Sequence, residues 1–65
     1  MIKPAERLLT TAEAARQLNV SESFLAKARV SGIGPAYVKL GKAVRYPQSS
    51  LDHYLRAQQR LSTAQ

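Results

Sequence analysis

Between Ser21 and Tyr46 the chain reads SESFLAKARVSGIGPAYVKLGKAVRY, and this stretch leaves few folds open. Ser21 is a helix-capping residue, and the run after it is helix-forming up to Ser31-Gly32. Gly34-Pro35 then breaks the chain and forces an extended entry to the next segment. Two short apolar runs come next, separated by Gly41-Lys42, which is the pattern of a hairpin. No acidic residue lies between Glu22 and Asp52, while Lys27, Arg29, Lys39, Lys42 and Arg45 all do. A short helix is thus succeeded directly by a basic ribbon. A duplex accepts both, the helix in its major groove and the ribbon along its phosphates.

The segment before Ser21 predicts a second helix packed close to the first. Thr10-Thr11-Ala12-Glu13 fits a capping box, with Thr10 as the cap and Glu13 reaching back to it. The helix is expected to run to Leu18, with Ala12, Ala15 and Leu18 as its buried stripe. Ala14 and Ala15 are small enough to let another helix cross closely. Asn19 tolerates the left-handed conformation that ends a helix. The next helix, from Glu22 to about Val30, starts only a few residues later, which is the helix-turn-helix arrangement.

The strands are expected at Tyr37–Leu40 and Val44–Tyr46. A two-residue Gly41-Lys42 turn suits type II′ and puts Tyr37, Lys39, Val44 and Tyr46 on one face. A three-residue loop, Gly41 to Ala43, gathers Val38, Leu40, Val44 and Tyr46 and leaves Tyr37, Lys39 and Arg45 outward. Register normally tracks the buried face, which favours the three-residue loop. Pro47 to Ser50 opens a third helix, capped by Ser49 or Ser50. Its stripe is Leu51, Tyr54, Leu55, Gln58 and Leu61, and it is expected to end near Arg60. The fold class is therefore mainly α with a small β-hairpin: helix-turn-helix, two-stranded wing and C-terminal helix. Residues 1–7 read as a flexible arm, 8–61 as the domain and 62–65 as a disordered tail.

A chain of 65 residues makes one domain with a thin core. It has no cysteine, which excludes a disulfide framework and zinc-finger spacing. No apolar run approaches the ~20 residues that span a bilayer, so no membrane role is expected and the setting is the cytoplasm, at the nucleoid. Ten Lys and Arg against four Asp and Glu give a net charge of +6, which favours an anionic partner. His53 stands alone, expected to be solvent-exposed, with no second ligand to complete a metal site or a nucleophilic pair. Gly32-Ile33-Gly34 comes after a helix rather than a strand, so it is no phosphate-cradling loop. No catalytic residue, metal or cofactor is expected, and the chain does not read as an enzyme.

Taking the second helix at about 100° per residue, Leu25 and Ala28 form its core face. Ser23, Ala26, Lys27 and Val30 lie opposite. Ser23 and Lys27 are the best candidates for base-edge or phosphate contact in a major groove, with Ser21 and the free N–H groups at the helix start suited to a phosphate. Phe24 has two readings, packing against the first helix or pressing on a thymine methyl. Glu22 favours the positive end of the helix dipole or accepts from cytosine N4. Thr11 and Arg29 are assigned to the nucleic-acid backbone, although Arg29 equally suits a surface pair. Lys39, Lys42 and Arg45 are the wing contacts, with Lys42 at the tip; the bland reading is an edge strand guarded by lysine. Arg7 and Arg16 read as ordinary surface residues, and Arg56 and Arg60 as available to a partner.

The run from Leu8 to Leu55 resembles a known family. Its marks are Leu9-Thr10-Thr11-x-Glu13-Ala14-Ala15, Leu18-x-Val20-Ser21, Gly34-Pro35, Val38-Lys39-Leu40-Gly41-x-x-Val44-Arg45-Tyr46 and Leu51-Asp52. Together they resemble the small winged-helix proteins related to MerR, and within them the excisionase and AlpA-like group of phages and integrative elements. The resemblance implies a recognition helix in the major groove and a wing along the neighbouring minor groove of double-stranded DNA. It also implies one of two roles. One is a recombination directionality factor, several copies of which bind adjacent sites, bend the DNA and bias a tyrosine or serine integrase toward excision. The other is a transcriptional regulator of the element's genes. The family commonly has threonine where this chain has Phe24, and often an aromatic or basic residue where it has Ala26. No long coiled coil comes after the wing, which argues against a ligand-sensing dimer of MerR type. A protein-interaction module holding an acidic partner is the reading from outside nucleic-acid binding.

Overall fold

The computed structural model describes residues 6–59. Residues 1–5 of the expected arm, Arg60, Leu61 and the 62–65 tail lie outside the described residues, and the third helix ends at Gln58, before the expected Arg60, with Gln59 extended. In chain order the elements are β1 (Leu8–Leu9), α1 (Thr11–Leu18), α2 (Glu22–Ser31), β2 (Val38–Leu40), β3 (Ala43–Pro47) and α3 (Gln48–Gln58). The fold is a winged helix-turn-helix.

Each helix boundary has a local cause. Thr10 caps α1: its Oγ1 accepts from the Glu13 N–H at 3.1 Å, and the Glu13 carboxylate accepts from the Thr10 N–H at 2.9 Å. Asn19 closes α1 in the left-handed region at φ 59°. Ser21 caps α2 by accepting from the Phe24 N–H at 3.0 Å, and Gly32 ends α2 at φ 77°. The start of α3 departs from expectation. Pro47 is its cap and no side chain of its own caps it, so neither Ser49 nor Ser50 has that role. The segment before β1 takes it over. The Gln48 N–H donates to the Arg7 carbonyl at 3.0 Å, and the Ser49 N–H donates to the Glu6 carboxylate. A carboxylate there also suits the positive end of the helix dipole.

The hairpin register is the two-residue one. Val38 pairs with Arg45, Lys39 with Val44 and Leu40 with Ala43, leaving Gly41 and Lys42 as the turn. Gly41 has φ +64° and Lys42 is not in the positive-φ region, as a type II′ turn requires. The three-residue loop is therefore wrong, and with it the shared outward face of Tyr37, Lys39 and Arg45. Either register gathers the fully buried Tyr46; the difference is its neighbour, and the two-residue turn brings Tyr37 to its side, with ring centroids 6.1 Å apart. β1 has no counterpart among the expected elements. It pairs with β3 through Leu8–Pro47 and Leu9–Tyr46, so β3 is the centre of a three-stranded antiparallel sheet ordered β1-β3-β2.

The core is small: Leu9, Ala14, Ala15, Leu25, Tyr46 and Leu51, flanked by Leu18, Val20 and Val44. On α1 the buried pair is Ala14 and Ala15, while Ala12 is exposed, which corrects the expected stripe. At about 100° per residue Leu18 falls between Ala14 and Ala15, so one arc of α1 meets both α2 and the sheet. Of the expected α3 stripe, Leu51 is buried and Tyr54 half-buried, while Leu55 is 49 % exposed and Gln58 is exposed. Two paired amides hold α1 to α3: Gln17 Nε2 donates to Gln48 Oε1 at 3.2 Å and Gln48 Nε2 to Gln17 Oε1 at 2.7 Å.

Candidate nucleic-acid interface

The second helix of the helix-turn-helix is anchored on one side and bare on the other. Leu25 and Ala28 are buried. Ser23, Ala26, Lys27 and Val30 are exposed, as the helical spacing predicts. The Ser21 hydroxyl oxygen is committed to capping, and its residue remains exposed at the helix start beside Glu22. Phe24 stands outside the core at 44 % exposure, on the flank of the bare face. Among the described residues, Lys27, Lys39 and Lys42 make no side-chain hydrogen bond and no ion pair, so their ammonium groups are free for an outside anion.

The linker from α2 to the hairpin is held tightly. A Cβ on Gly34 would lie 2.6 Å from the Cβ of Ala28, closer than carbon atoms can stand. Only glycine lets the chain turn this close under α2. This contact sets where the hairpin starts relative to the bare helical face.

On the hairpin the cations diverge. Lys42 is at the tip, exposed. Lys39 shares its face with Tyr37, Val44 and Tyr46, whereas Arg45 shares the other with Val38, Leu40 and Ala43. Arg45 is half-buried, and its Nη1 donates to the Val44 carbonyl at 2.8 Å.

Thr11 and Arg29, the two residues assigned to the nucleic-acid backbone, lie together. Arg29 is half-buried. Its Nη1 donates to the Tyr46 hydroxyl at 2.7 Å and reaches Thr11 Oγ1 at 3.5 Å. Its guanidinium carbon lies 5.9 Å from the centre of the Tyr37 ring, within the range of a cation–π contact. Sequence reasoning missed Tyr37 and Tyr46 as partners of Arg29. The available signal was the two-residue register, which places both rings on one face.

The start of α1 is occupied by a negative charge. The Glu13 carboxyl is held below its ordinary range, first by the Thr10 N–H bond; partial desolvation opposes this, and the Arg7 and Arg16 charges and the Thr10 side chain add to the lowering. Arg7 lies 4.0 Å from Glu13. His53 is exposed as expected, beside a groove of about 570 Å³ between residues 33–36 and α3. Among the described residues no three His, Cys, Asp or Glu side chains gather as a metal site, and no helix is long and apolar enough to cross a membrane.

Comparison with known families finds a match over most of the chain. The model of a helix-turn-helix domain covers residues 8–59, from β1 to just past the end of α3. No curated protein matches the chain.

Proposed function

Because the chain belongs to the helix-turn-helix domain family, a DNA-binding module, we propose that it serves as a recombination directionality factor of a mobile element. In this reading α2 enters a major groove and presents Ser21, Ser23, Phe24 and Lys27. The wing tracks the adjacent phosphates with Lys39 and Lys42, and with Arg45 from its other face. Copies bind repeated sites side by side, bend the duplex and bias an integrase toward excision. The observation that carries DNA contact is the set of free cations: Lys27 on the bare face of α2, and Lys39 and Lys42 on the wing joined to it. The excision role rests on the likeness of residues 8–55 to the excisionase and AlpA-like group, within the MerR-related proteins. So small a single domain grips one site weakly, which is the reason for expecting several copies.

The test has two stages. Binding to a duplex at increasing salt measures the phosphates engaged. About five of them give a slope of log K against log salt near −4.5, and a flat response rejects DNA contact. Footprinting on the element's attachment region and on its promoters then assigns the role. Repeated protected sites at the attachment region, with excision in a reconstituted integrase reaction, support the directionality factor. Protection confined to a promoter supports the transcriptional regulator instead.

A further inference from the structure

We propose that Arg29 is a positioning residue that locks the wing to the recognition helix, so that Lys27 and the wing lysines meet a duplex as one preformed surface. This rests on the DNA-binding reading above and deepens it.

One guanidinium joins four elements or their flanks. Arg29 belongs to α2, Thr11 opens α1, Tyr46 lies in β3, and Tyr37 immediately precedes β2. Tyr46 is fully buried and its hydroxyl meets Arg29 at 2.7 Å; without that donor a buried hydroxyl loses its partner. The tie is directional as well. The hydroxyl fixes one edge of the planar guanidinium while the Tyr37 ring lies against it, which a lysine ammonium cannot reproduce. The bare face of α2 carries the other cation of this helix, Lys27, which no side chain of the described protein holds. The two charges therefore differ in kind: Lys27 is free to meet DNA, and Arg29 is engaged in holding the wing where Lys39 and Lys42 can do so.

A direct phosphate contact and a positioning role separate by charge accounting. Losing one phosphate contact lowers the salt slope by about one. Losing the wing lowers it by at least about two, one for each of Lys39 and Lys42 and a smaller share for Arg45. The experiment uses the full chain and a duplex selected by it from a random-sequence pool. Tyr46→Phe removes no charge and keeps the ring; Arg29→Met and Arg29→Lys remove the fork. Urea unfolding first establishes that each variant is folded at the binding temperature. The expected result is that Tyr46→Phe binds several-fold more weakly with a shallower salt slope, although its charge is unchanged. Arg29→Met and Arg29→Lys lose at least about two in slope. All three keep guanine N7 protection in the major groove and lose hydroxyl-radical protection along the wing. A Tyr46→Phe chain with the wild-type slope and footprint, beside an Arg29→Met loss of about one, overturns the proposal in favour of a direct phosphate contact. If Arg29→Met does not fold, Tyr46→Phe alone decides the question by the same slope and footprint. A wild-type chain that selects no duplex rejects the DNA reading itself, which is a separate outcome.

Discussion

Lys39 and Arg45 leave the hairpin on opposite faces, because Lys39 stands across from Val44 and Arg45 across from Val38. The face of Lys39 is the one that carries Tyr37 and Tyr46, the two rings that meet Arg29 of α2. The face of Arg45 is turned away from that junction, and its guanidinium is partly spent on the Val44 carbonyl. The two charges are therefore expected to contribute unequally. Lys39→Ala should lower the salt slope of duplex binding by about one, and Arg45→Ala by clearly less. Equal losses from the two would mean that the ribbon is sunk in a groove with both faces in contact. The measurement is the slope for each variant on one duplex.

Lys27 and Lys42 separate reading from gripping. Lys27 projects from the bare face of α2, where a major-groove helix meets base edges. Lys42 sits at the wing tip, where only the backbone or the minor groove is within reach. Lys27→Ala is expected to cost about 1–3 kcal/mol on the preferred site and to change the order of preference among sites. Lys42→Ala should weaken every sequence alike. Binding of both variants to a panel of selected and scrambled duplexes checks this, and unchanged affinity for both removes these residues from the interface.

Much of this arrangement is legible in the chain itself, for a physical reason. Thr10, Glu13, Asn19, Ser21 and Gly32 act on their own backbone neighbours, so their positions alone set where α1 and α2 begin and end. Leu25, Ala28 and the exposed Ser23 and Lys27 result from helical spacing about one core contact. Features that depend on distant partners are not legible. Leu8 and Leu9 carry no strand period, and they pair only because β3 lies beside them. The cap of α3 comes from Glu6 and Arg7, some forty positions earlier. The hairpin register misleads because Val38 and Leu40 look more buriable than Tyr37 and Lys39. The sheet instead sets Tyr37 beside the buried Tyr46, and the tip from Lys39 to Lys42 runs out past the core, where an apolar Leu40 stays 56 % exposed. The inward set of Arg29 needs that register first.

Gly34 and Ala28 give a test of how α2 and the wing are joined. The neighbour of an added Cβ at Gly34 is a helix-borne methyl that cannot rotate away. Gly34→Ala should therefore destabilise the fold by about 1–3 kcal/mol, as overpacking does. Ala28→Gly makes room at the same spot but costs about 1 kcal/mol of helix propensity in addition to lost burial. The double variant should then be more stable than the sum of the two single losses, because each change relieves the other. Urea unfolding of the four chains yields this coupling, and strict additivity would mean that the linker moves aside freely.

Glu13 makes the stability of α1 depend on pH. Its carboxyl is held below the ordinary range, chiefly by the Thr10 N–H, with Arg7 and Arg16 assisting against some desolvation. A group whose folded pKa is depressed binds fewer protons when folded than when unfolded over the window between the two values. Its contribution is thus fully present above the unfolded value, about 4.3, and is lost as pH falls through the folded one. The melting temperature should decline on acidification below that point. Glu13→Gln keeps an acceptor for the capping box but has no proton to gain, so its decline should be shallower. Thermal melts of both chains from neutral pH down to about pH 3, compared at equal salt, measure the difference. Parallel curves would show that Glu13 is not the source of the acid sensitivity.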